Sequence, residues 1–98
     1  MIINTNLNAT ELTISLVGRL DTSTSNQLET VLKNSLEGIT SLIMDFAELN
    51  YISSSGLRIL LSTQKIMNNQ GKMVLHNVSE DIMEIFQMTK FDSFLTIV

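Results

Sequence analysis

The stretch from Leu42 to Arg58, Leu42-Ile43-Met44-Asp45-Phe46-Ala47-Glu48-Leu49-Asn50-Tyr51-Ile52-Ser53-Ser54-Ser55-Gly56-Leu57-Arg58, constrains this chain more than any other. An apolar run ends there, the chain turns, and a helical pattern opens on three successive serines. Leu42-Ile43-Met44, with Asp45 and Phe46, is continuously apolar at its start rather than alternating, which predicts a central strand over Ser41 to Phe46 covered on both faces. The run is too short to span a membrane. After the serines, Leu57, Leu60, Leu61, Gln64 and Met67 recur at helical spacing and predict a helix from Ser54 to Gln70, with Gly71 as a left-handed stop. The first amides of such a helix have no partner within it and carry partial positive charge. A serine oxygen caps them, and a phosphate would be well placed there.

The remaining segments fit around that corner. Ile2 to Leu7 and Glu11 to Val17, the second alternating through Leu12, Ile14 and Leu16, read as a hairpin turning at Asn8-Ala9-Thr10. A helix then begins within Thr22 to Ser25, where Thr24 and Gln27 have capping-box spacing; its stripe is Leu28, Val31, Leu32 and Leu36, and Gly38 ends it. Met73 to His76 forms another strand, Ser79 caps a helix carrying Ile82, Ile85 and Phe86, and Phe94 to Val98 forms a last strand. The order β-β-α-β-α-β-α-β predicts one α/β domain over residues 1–98. Its mixed sheet would combine an N-terminal hairpin with βα crossover units, helices lying largely on one face. Loops at the carboxyl ends of parallel strands gather on one edge, so Gly18 to Ser25 and Glu48 to Ser54 place Asp21 and Ser54 together, each beside a helix start.

Composition removes several kinds of chemistry. The chain has no cysteine, so disulfides, thiolate catalysis and cysteine-bound zinc are excluded. Six basic against ten acidic residues give a formal charge of −4, and no Lys/Arg cluster marks a nucleic-acid surface. A protein or small-molecule partner is expected. With no signal-peptide pattern and no apolar stretch of membrane-spanning length, a cytoplasmic protein without a membrane partner is expected. The sole histidine, His76, sits at the end of an apolar strand, and Asp21, Asp45 and Glu48 have no spacing that fixes them on one face, so no catalytic or metal site is expected. Gly56 stands alone, without a phosphate-cradling loop, and no cofactor is expected.

Ile52-Ser53-Ser54-Ser55-Gly56-Leu57 after Asp45-Phe46, together with Gly18-Arg19-Leu20-Asp21, resembles the STAS domain of bacterial anti-sigma factor antagonists, over almost the whole chain. In that family a strand leads into Asp-Ser-Ser-Gly-Leu at a helix start, and the first serine of the pair accepts phosphate. By resemblance that residue is Ser54, followed by Ser55, Gly56 and Leu57, and Asp21 of the Gly-x-Leu-Asp element stands at the partner-facing edge. Three departures accompany the match. Ser53 occupies the place of the family's acid, so Ser53 and Ser55 remain competing hydroxyls. Arg58 stands where the family commonly has a small residue, and the family's helix after the last strand has no counterpart up to Val98.

The resemblance implies a non-enzymatic partner switch. The unphosphorylated chain would bind an anti-sigma factor that is also an ATP-dependent serine kinase, releasing a sigma factor. Phosphorylation would free the kinase, and a PP2C-type phosphatase would reset the cycle. Asp21, Ser53, Ser54, Ser55, Gly56 and Arg58 would form the binding edge. The alternative implied by the same family is a constitutive subunit of a lipid-transporting ABC complex or a stress-signalling scaffold.

Overall fold

The structure, a computed structural model, describes residues 1–98. Strands β1 (Ile2–Asn8) and β2 (Glu11–Leu20) form the hairpin, followed by α1 (Thr22–Ser35), β3 (Ser41–Ile52), α2 (Ser54–Asn68), β4 (Lys72–His76) and α3 (Glu80–Thr89). The sheet order is β1-β2-β3-β4. β1 runs antiparallel to β2, whereas β2, β3 and β4 are mutually parallel. This is the mixed α/β architecture expected from the element order.

One face of the sheet carries the helices. Leu12, Ile14 and Leu16 of β2, Leu42, Met44 and Phe46 of β3, and Met73 and Leu75 of β4 are buried beneath Leu28 and Leu32 of α1, Leu57, Leu60 and Met67 of α2, and Ile82 and Phe86 of α3. The intervening strand residues Thr13, Ser15, Ile43, Asp45 and Val74 are only half-buried. The expectation that the central strand is covered on both faces is therefore corrected: the alternation is present, and the short apolar run hid it because Ile43 faces the uncovered side. On α2, Leu61 is likewise half-buried, while Thr63 and Gln64 take buried positions.

β3 is longer than expected, and this shapes the site. It continues six residues past Phe46, through the segment Glu48 to Ile52 expected to be loop, because β2 also continues to Leu20 and keeps pairing with it. The register slips between Ser15 and Val17 and again between Gly18 and Arg19, each slip adding one residue to β3. The buried residues consequently fall at Phe46, Leu49 and Ile52, a spacing that alternation does not produce. At the far end the expected strand Phe94 to Val98 shrinks to a bridge between Leu75 and Ile97, preceded by a 3₁₀ turn at Phe91–Ser93. Met88, Phe94 and Val98 are exposed there.

Gly71 differs in role from the sequence expectation. α2 ends at Asn68 with a right-handed cap at Asn69, and Gly71 has no positive φ. It is needed instead for a close approach, since a Cβ on it would lie 1.9 Å from the Thr40 carbonyl oxygen, which itself accepts from the Lys72 amide at 3.0 Å. A backbone carbonyl held in that bond cannot step aside as a side chain would. Gly71→Ala is expected to destabilise the fold by roughly 1–3 kcal/mol, the ordinary range for overpacking. Urea unfolding measures this, and a variant as stable as wild type would contradict the approach described.

Candidate functional site

The last register pair of β2 and β3 is Leu20 with Ile52. Both side chains are buried, and each strand hands over directly to a helix: Leu20 to Asp21 and α1, Ile52 to Ser53 and α2. The Ser53 amide donates to the Leu20 carbonyl at 2.8 Å, so the two helix starts are fixed side by side. Gly56, in the first turn of α2, lies against this pair, where a Cβ would sit 2.8 Å from Leu20 and 2.9 Å from Ile52. Glycine thus lets α2 approach the strand ends closely. The expected juxtaposition of Asp21 with Ser54, each beside a helix start, is present.

Asp21 is the N-cap of α1, a role the sequence reading gave to Thr24. Its Oδ1 accepts from the Ser23 amide at 3.1 Å, the Thr24 amide at 3.1 Å and the Ser23 hydroxyl at 2.8 Å. Thr24 Oγ1 accepts in turn from the Asp21 amide at 2.8 Å, completing a capping box built on Asp21 and Thr24 rather than on Thr24 and Gln27. An acid with threonine three residues on was the available signal, obscured by four hydroxyl residues in succession. These bonds, the Thr24 amide first and the Ser23 hydroxyl next, hold the Asp21 carboxyl below its usual range.

The three serines have separate roles. Ser53 is the N-cap of α2, its Oγ accepting from the Gly56 amide at 3.2 Å. Ser55 turns toward α1, its hydroxyl 3.5 Å from that of Thr22. Ser54, the first helical residue, is exposed, and its hydroxyl bonds to no other protein group. Arg58 lies one turn further along α2, exposed and outside the two ion pairs of the molecule. Between the helix starts, Thr22 and Asn26 of α1 and Ser55 and Arg58 of α2 border a shallow polar depression of about 360 Å³.

The acids considered for catalysis do not converge. Asp45 pairs in register with Ser15, well before the end of β2, and its Oδ1 accepts from the Ala47 amide at 3.0 Å and the Asn77 side chain at 3.0 Å. Those bonds, Asn77 first, lower its carboxyl, with His76 adding a smaller attraction. Asp45 thus ties β3 to the segment after β4, which sequence reasoning missed. No three acidic or histidine side chains lie close enough together to hold a metal ion. No helix is long and apolar enough to cross a membrane.

This α/β arrangement is that of the STAS domain, whose family profile matches residues 2–98, and the chain belongs to that family. It is 32% identical over 78 residues to BtrV of Bordetella bronchiseptica, assigned as an anti-sigma factor antagonist, covering 78% of this chain and 67% of BtrV. Among solved structures, the anti-sigma factor antagonist SpoIIAA in its unphosphorylated form superposes with a TM-score of 0.78 at 20% identity, over 99% of this chain and 87% of that one. The Bacillus SpoIIAA has also been solved phosphorylated, with a TM-score of 0.77. An antagonist from Mycobacterium paratuberculosis superposes with a TM-score of 0.88 at 16% identity, over 98% of this chain and 83% of that one.

The capping geometry changes what Asp21 substitutions report. Asp21→Ala is expected to lower the thermal midpoint at neutral pH by more than Asp21→Asn, whose amide oxygen still caps but carries no charge. A carboxyl depressed in the folded state contributes stability above its unfolded pKa and loses it as pH falls through the folded value. The gap between wild type and Asp21→Ala should therefore narrow as pH drops below about 4, toward the part that an uncharged cap retains. Thermal melts across pH check this, and a gap that is unchanged at low pH contradicts the stabilisation of the charged cap.

Proposed function

We propose that this chain is an anti-sigma factor antagonist in a phosphorylation-controlled partner switch, with Ser54 as the phosphoacceptor. The observation that carries the assignment is the division of labour among the serines. Ser53 is occupied as a cap and Ser55 faces Thr22, while Ser54 alone is exposed with an uncommitted hydroxyl. The existence of SpoIIAA in unphosphorylated and phosphorylated forms supports the same cycle.

In this reading the unphosphorylated chain binds an anti-sigma factor with serine kinase activity through the edge formed by Asp21, Ser53, Ser54, Ser55, Gly56 and Arg58. It acts by binding, in the cytoplasm, and performs no catalysis itself. The Ser54 oxygen attacks the γ-phosphorus of ATP held by the kinase, the bond to ADP breaks, and the serine proton passes to a base of the kinase. A PP2C-type phosphatase returns the serine by hydrolysis.

Competing magnitudes explain why modification would release the partner without unfolding the domain. A phosphoserine adds about −1.5 to −2 charges at neutral pH. At the start of α2 the helix dipole favours that charge by roughly 0.3–1 kcal/mol, and Arg58, one turn away on the same helix, is placed to pair with it. In a closed interface the same dianion loses water, at a cost of several kcal/mol unless a matching cation meets it. A penalty of about 3 kcal/mol already weakens binding roughly a hundredfold.

Incubation with the kinase and ATP, followed by peptide mass spectrometry, should place phosphate on Ser54. Phosphate confined to Ser53 or Ser55 would contradict the assignment. Ser54→Ala should bind the anti-sigma factor persistently and Ser54→Asp poorly, both with near-native circular dichroism. If Ser54→Asp and the phosphorylated protein bind as tightly as wild type, the switch fails.

A further inference from the structure

Immediately before the Leu20–Ile52 pair, Arg19 of β2 stands in register with Tyr51 of β3. Leu20 and Ile52 point beneath the helices, so their neighbours turn outward, and both Arg19 and Tyr51 are exposed. The register slip between Gly18 and Arg19, with Gly18 at φ +109°, sets this local direction. The Arg19 guanidinium carbon lies 4.3 Å from the centre of the Tyr51 ring. From below, the Arg19 carbonyl accepts from the Thr24 hydroxyl at 2.7 Å, which ties its backbone to the capped start of α1.

This arginine is held in place without being used up. Its Nε lies 3.8 Å from Asp21 Oδ2, beyond hydrogen-bond reach, while Asp21 directs Oδ1 to the α1 cap. The Arg19 side chain remains 61% exposed, so most of its five N–H donors face solvent. An ion pair this open contributes little to folding. A preordered arginine on an exposed tyrosine, two residues from the Ser53 cap, combines side chains that commonly anchor protein interfaces.

We propose that the Arg19–Tyr51 pair is the specificity-determining part of the antagonist's binding edge, receiving an acidic segment of the anti-sigma factor. The inference rests on the antagonist reading and adds residues that reading does not contain. Charge decides the chemistry of the segment. On a chain of net charge −4, an ordered cation beside an aromatic ring is a local exception, and a carboxylate reaching it gains paired N–H donors. A nucleic acid is disfavoured, because the edge adds only Arg58 to Arg19 and sets the Asp21 carboxylate beside it, too few cations for a run of phosphates.

Binding to the purified anti-sigma factor tests the pair, with thermal melts run in parallel. Arg19→Glu should weaken binding by about a hundredfold and Tyr51→Ala by about tenfold, with midpoints within about 2 °C of wild type. Tyr51→Phe, which keeps the ring, should bind nearly as wild type. Arg19→Ala should flatten the dependence of the association rate on salt, a change that a purely structural role would not produce. If wild type binds and Arg19→Glu binds as tightly, the inference is overturned and the antagonist reading stands. If wild type binds no anti-sigma factor, the antagonist reading falls and takes this inference with it.

Discussion

The hydrogen bond from the Ser53 amide to the Leu20 carbonyl, at the end of the β2–β3 pairing, is the constraint on which the rest of this surface depends. It joins strand ends far apart in sequence and fixes the starts of two helices at one height. Everything distinctive about the edge follows from that alignment: the Asp21 cap beside the Ser53 cap, the Thr22 hydroxyl facing that of Ser55, and Gly56 fitting against Leu20 and Ile52. Two like-directed helix starts at one edge also concentrate unpaired amides and positive partial charge there. A neutral serine can sit in that field, and a phosphorylated one is favoured by it.

Much of this was legible in the sequence because periodicity and turn chemistry are local. The α1 stripe of Leu28 and Leu32, the α2 stripe of Leu57, Leu60 and Met67, and the Ser79 cap, whose Oγ accepts from the Ile82 amide at 3.2 Å, were all read from spacing alone. So was the meeting of Asp21 and Ser54 at one edge, once the central strands were read as parallel. What stayed hidden depends on pairing. The extension of β3 to Ile52 exists because β2 runs on to Leu20, and no run within Ala47 to Tyr51 has strand alternation, since two added residues break it.

Residues whose roles lie in partners distant along the chain were also missed. Gly71 is explained by Thr40, Asp45 by Asn77, and Arg19 by Tyr51, none of which sequence spacing connects. Ser53 is the opposite case, since a serine cap at the start of α2 was expected from the sequence. It stands where the family has an acid, and its oxygen performs the capping that an acid at that place would also perform. The substitution keeps the helix start and removes a charge from the edge.

The parallel joining of β2 to β3 also governs how the domain is assembled in time. The β1–β2 hairpin needs only a tight turn, but a lone two-stranded hairpin is marginal in water. Its support comes from β3, whose pairing of Leu12 with Leu42 must first close the intervening chain around α1. Closing that loop costs entropy before any of its contacts form, which is the general reason non-local pairing slows folding. Because the helix starts are aligned by the last pair of the same ladder, the edge that carries Asp21 and Ser54 depends on that core pairing being complete. A partially folded chain presents no such edge, so a partner that reads it would discriminate mature domains from nascent ones without any separate checkpoint.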